Sequence, residues 1–103
     1  MTAPALGNAG PAVATFIVVA SFSPEADLPE MNAVIADEVA QVAALTAEGR
    51  LGAVHISPVR GRVFLEVRAA NESEARAAVE TLPMATWWDI EVYPTMGPPD
   101  LRN

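Results

Sequence analysis

The chain contains no cysteine and no lysine, has a single histidine at His55, and its longest apolar run is Phe16 to Ala20. Without cysteine there is no disulfide framework, no thiolate nucleophile and no thiolate metal site. One histidine excludes a multi-histidine metal centre within one chain, so neither metal nor cofactor is expected. The apolar run is far too short to cross a bilayer, and the N-terminus lacks the basic stretch of a signal peptide, so no membrane partner and a cytoplasmic location are expected. Basic charge is also scarce. The six basic residues are all arginine, they form no cluster, and the formal net charge is -7, which disfavours nucleic acid as a partner. The acidity fits solubility instead. The signatures G-x-S-x-G, Walker A and G-x-G-x-x-G are missing, which removes the commonest acyl-transfer and phosphate-loop chemistries.

What is present is apolar. In 103 residues, 51% are hydrophobic and 18% charged, with a mean hydropathy of +0.26. That length allows one domain, and so small a domain buries a limited share of its surface. The excess apolar area is expected to be hidden in a homo-oligomer.

Residues 1–11 (MTAPALGNAGP) lack periodicity and read as a flexible tail, and 97–103, with Pro98-Pro99, as a second one. The domain between them, 12–96, divides into six elements. Ala12 to Phe22 is β-branched and apolar on both faces, a strand buried on two sides. Asp27 is a candidate N-cap, Pro29 suits a helix start, and the helix is expected to run to about Glu48 with Gly49 at C′. Leu51 to Ser57 and Arg62 to Arg68 alternate around Pro58-Val59-Arg60-Gly61, a hairpin. Asn71 caps a second helix with Glu74 three residues on; Ala75, Ala78, Val79 and Leu82 form its apolar face and Pro83 stops it. Thr86 to Tyr93 is the last strand. The order β-α-β-β-α-β defines an α+β class with ferredoxin-like topology, both helices covering one face of a four-stranded antiparallel sheet.

Strand parity assigns Val54, Ile56, Val63, Leu65, Val67, Trp88, Ile90 and Val92 to the helix-covered face. The opposite parity carries Ala53, His55, Ser57, Phe64, Glu66, Trp87, Asp89, Glu91 and Tyr93. That mixed face would be wet in a monomer and covered in a sheet-on-sheet dimer.

On the first helix, at about 100° per residue, Met31, Val34, Ile35, Val39, Val42 and Leu45 make an apolar stripe. Glu38 falls in its middle. A carboxyl there is costly unless it is paired, hydrogen-bonded or protonated, and apolar surroundings raise its pKa toward the range of a useful base. A structural role, with Glu38 reaching a helix end, a tyrosine or an arginine, competes with the catalytic one. Favouring catalysis, Asn32 through Leu45 offers no Lys or Arg partner. His55 is the other group able to move protons near neutrality, although its parity points it away from Glu38 and an interface imidazole is the plainer reading. Trp87 and Trp88 flank a candidate cavity, against the plainer reading as core and interface. Asp89 and Glu91, two residues apart, suit an interface network better than an ion site.

The segment Thr81 to Thr95 (TLPMATWWDIEVYPT) resembles the L-P-L-x-x-x-x-D-I-E-V ending of the muconolactone isomerases. Ala36-Asp37-Glu38, with Glu48-Gly49 closing the helix, is similar to that family's first helix. The resemblance covers roughly residues 13–96. It implies a dimeric α/β barrel that assembles further, commonly to decamers, and a cofactor-free shift of a lactone double bond by proton removal beside the carbonyl and return elsewhere. Glu38 takes the position of the pocket-side glutamate and would be the base, while His55, Trp87 and Trp88 would line or close the substrate pocket. Ile35 stands where the family carries a lysine, and His55, Arg60 and Arg62 are the remaining cationic candidates, which points to a different small-molecule substrate. The rival readings are a cyclase or cofactor-free oxygenase of natural-product biosynthesis, and a non-catalytic binding or structural oligomer.

Overall fold

The computed structural model describes residues 13–97. The tails expected at 1–11 and 97–103 lie outside the described residues apart from Gly97, as does Ala12 at the expected start of the first strand.

The chain is a mixed α+β domain whose elements run β1 (Ala14–Phe22), α1 (Leu28–Ala33), α2 (Ile35–Ala47), β2 (Leu51–Ser57), β3 (Arg62–Ala69), α3 (Glu72–Glu80), a 3₁₀ helix (Pro83–Trp87) and β4 (Trp88–Pro94). The four strands form one sheet in the order β2-β3-β1-β4, and every pairing is antiparallel. This arrangement is compatible with a ferredoxin-like fold. No helix among the described residues is long and apolar enough to cross a membrane.

The register explains the core. Val18 sits opposite Leu65 on one side and Val92 on the other, and Leu65 is in turn opposite Val54. Side chains of one parity therefore form continuous rows across all four strands. The rows of Phe16, Val18, Ala20, Val63, Leu65 and Val67 are buried, because α3 packs across β1, β3 and β4. Ala75, Ala78, Val79 and Leu82 close the layer from above. Alanines on the buried face of α3 let its backbone approach the sheet closely.

Local signals act where the residues place them. Asp27 accepts from the Glu30 N–H at 3.3 Å, and Asn71 from the Glu74 N–H at 2.9 Å. Glu74 reaches back to the N–H of Ala70, the residue before the cap, at 3.3 Å, a variant of the capping box at the start of α3. Gly49 and Gly61 adopt positive φ of 77° and 65°, the left-handed backbone that ends α2 and turns the β2–β3 hairpin.

The first helix departs from expectation. It is two helices, broken at Val34, whose ψ of 6° lies outside the helical range. The Val34 N–H bonds to the Met31 carbonyl at 3.1 Å, an i→i+3 closure that tightens the turn. No residue of α1 is fully buried. The last strand is also shorter than expected at its start: Thr86 and Trp87 belong to the 3₁₀ helix, so Trp87 carries no strand parity.

Candidate functional site

The apolar stripe of α2 does not pack down on the sheet along its length. Leu45 is the one residue of α2 that is buried, and Val42 is partly so, whereas Ile35 is 45% and Val39 62% exposed. The N-terminal half of α2 stands off from β2, leaving a hollow of about 360 Å³ beneath it. Phe22 of β1, Val54 and Ile56 of β2, and Val63 and Leu65 of β3 form its floor. Ile35, Glu38, Val39 and Val42 form its roof, and Leu82, Met84 and Trp88 its end wall. Of these twelve residues Glu38 alone carries an ionisable group.

Glu38 lies in the first turn of α2, where the helix dipole favours a negative charge. Its Oε1 accepts the Met84 N–H at 2.9 Å. That donor is available because Pro83 opens the 3₁₀ helix: the first N–H groups of a helix have no partner within it. Half-burial among aliphatic side chains raises the Glu38 pKa, and the Met84 N–H pulls the other way by stabilising the charged form. The net shift is upward. Neither of the ion pairs among the described residues, Arg50–Glu48 and Arg68–Glu66, involves Glu38. One carboxylate oxygen is thus held by the backbone, and among the described residues Oε2 accepts no hydrogen bond, so it is available to a ligand. Chemically this is an oriented, weakened acid: a group that can take a proton from a bound molecule and give it back.

Trp88 contributes a wall and a peculiarity. It meets Phe22 edge to face, ring centroids 6.1 Å apart, in the geometry aromatic quadrupoles prefer. Its indole Nε1 is buried and has no hydrogen-bond partner among the described residues.

Of the four residues singled out from the sequence, the fold brings together Glu38 and Trp88. It separates the other two from them. His55 lies on the opposite face of the sheet, exposed and paired across strands with Phe64, and Trp87 ends the 3₁₀ helix outside the pocket lining. Neither lines the hollow. Met84 went unrecognised in the sequence because its contribution is a backbone N–H, and Pro83 was the one available signal. Phe22, Leu65 and Leu82 read as ordinary core residues, since periodicity does not distinguish a packed face from one lining a void.

Charged groups that could hold an anion or a metal lie elsewhere. A wider surface hollow of about 520 Å³ near the end of α2 is lined by Glu48, Arg50, Arg68 and Glu74 among others. Arg50 and Arg68 are engaged there by Glu48 at 3.5 Å and Glu66 at 3.7 Å. Among the described residues no group of three or more His, Asp or Glu side chains converges in a manner suited to a metal ion.

The fold and site define a small α+β domain holding one half-buried carboxylate in an otherwise apolar pocket. No protein-family model matches the chain, and no curated protein matches it in sequence.

Proposed function

We propose that the protein is a cofactor-independent isomerase of the muconolactone isomerase type, in which Glu38 shuttles a proton between two carbons of a small lactone-like substrate. The observation that carries the reading is the Glu38 carboxylate itself. It sits in a hollow large enough for a small organic molecule, unpaired with any cation among the described residues, with burial raising its pKa. A group removing a proton beside a carbonyl and returning it elsewhere works best when its pKa approaches the working pH. The resemblance of Thr81 to Thr95 to the family's ending adds support from the sequence.

In this reading the protein is a cytoplasmic homodimer, two ferredoxin-like protomers joined through their open sheet faces into an α/β barrel. The row His55, Phe64, Val19, Glu91 runs across that face, beside the pair Ile17 and Tyr93. Phe64 is 38% and Tyr93 48% exposed in one chain, apolar surface that a second sheet would cover.

One observation favours the structural rival. The bond from the Met84 N–H to Glu38 ties α2 to the 3₁₀ helix, and a carboxylate that caps a helix end needs no substrate to justify it. Turnover separates the readings. With α-angelica lactone, the base would take a proton from C3, beside the carbonyl, and return one at C5, converting the unconjugated lactone to its conjugated isomer. Wild-type protein is expected to accelerate this change, followed by ultraviolet absorbance, and Glu38→Gln to abolish the acceleration. Equal rates with and without protein, across a panel of unconjugated lactones and enones, would leave the structural role as the better account.

A further inference from the structure

The lining of the hollow bears on the charge of a ligand, and this inference rests on the reading of the hollow as a ligand site. We infer that its ligand is uncharged and largely apolar, bearing a hydrogen-bond donor or an acidic C–H for Glu38, and that the site rejects small carboxylates. Among the described residues the wall contains one ionisable side chain, and it is an acid. Among the described residues no arginine lines the hollow, and His55 is on the far side of the sheet. An anion entering would lose its hydration, find no cation, and meet a like charge a few ångströms away. A cation would gain the attraction of Glu38 but give up its water for aliphatic walls, an exchange that roughly breaks even.

The entrance points the same way. Ile35, Val39 and Ile56 border the hollow and are 45%, 62% and 68% exposed. Apolar groups left in water at the rim of an apolar pocket provide a continuous surface for a hydrophobic ligand. The volume of about 360 Å³ falls within the range of small-molecule pockets, which suits a one- or two-ring compound. Position 35 is instructive because a side chain there reaches both the pocket and solvent, so a cation could be accommodated; isoleucine supplies none.

The test is calorimetric titration of the full chain at pH 7.5 with three probes of one shape: 2-naphthol, 2-naphthoate and 2-(aminomethyl)naphthalene, which are neutral, anionic and cationic. The neutral probe is expected to bind at least about tenfold more tightly than the anion. Glu38→Gln should narrow that ratio by removing the like charge. Ile35→Lys should narrow it further by supplying a counter-charge at the rim. Naphthoate binding as tightly as naphthol to the wild type, or the cationic probe binding most tightly, would overturn the inference while leaving the hollow a ligand site. A ratio unmoved in both variants would overturn it as well, since charge would not be its cause. Binding of none of the three would overturn both the preference and the ligand-site reading on which it rests.

Discussion

Two substitutions at one position can separate the chemistry of Glu38 from its contribution to the fold. Glutamine keeps the length and the carbonyl oxygen that accepts the Met84 N–H, now 2.9 Å from Glu38 Oε1, but cannot take up a proton. Alanine removes both functions. The hydrogen bond is worth about 0.5–1.5 kcal/mol net, and for a domain of this size each kcal/mol moves Tm by about 4–8 °C. Glu38→Ala should therefore lower Tm by about 2–12 °C, whereas Glu38→Gln should stay within about 3 °C of wild type. Turnover should behave differently: both variants lose the general base, worth about 10²–10⁴-fold in rate. The pH dependence supplies a sign. Because burial raises the folded-state pKa of Glu38, ionising this group opposes folding. Protonation relieves that penalty, so its destabilising effect is absent below the unfolded-state pKa and fully present above the raised folded one. Glutamine should thus gain on wild type at neutral pH relative to pH 4, as read by thermal melts followed by circular dichroism. The rate should fall as pH drops through the raised pKa, since the base must be ionised. Glutamine destabilising as much as alanine, or turning over like wild type, would refute the assignment of Glu38 as base.

Three further outcomes follow from the geometry. Leu65 is 1% exposed and also floors the pocket, so Leu65→Ala should cost about 2–5 kcal/mol in chemical denaturation and shift ligand preference toward bulkier probes. Trp88→Phe deletes a buried N–H that has no partner among the described residues while keeping an aromatic edge against Phe22; its stability should lie within about 1 kcal/mol of wild type, because the released desolvation penalty offsets lost packing. Phe64→Glu puts a charge at the centre of the open sheet face, opposite Val19 and His55, and should convert a dimer to a folded monomer by analytical ultracentrifugation; wild-type protein sedimenting as a monomer would remove the barrel proposal.

Much of the architecture was legible because it depends on local rules. Parity alone put Val54, Val63, Leu65, Val67 and Trp88 on one face, since strand side chains alternate regardless of context. Asp27, Asn71, Gly49 and Gly61 marked helix ends and turns because capping and left-handed backbone are satisfied within a few residues. The break at Val34 was not legible: the periodicity continues through it, and what interrupts the helix is a local shift in backbone conformation and hydrogen bonding. Trp87 misled for a similar reason, as an aromatic beside a strand reads as strand until the 3₁₀ helix begun by Pro83 claims it.

The candidate site divides along the same line. From the sequence alone came an acid in the middle of an apolar helix stripe, an inconsistency that local pattern exposes without coordinates. Only tertiary structure decided that the stripe roofs a hollow instead of a packed core, that Met84 supplies the partner from forty-six residues away, and that His55 lies beyond the sheet. Those facts depend on the distance between α2 and β2 and on which backbone donors remain free, and neither quantity is encoded in periodicity, charge or composition.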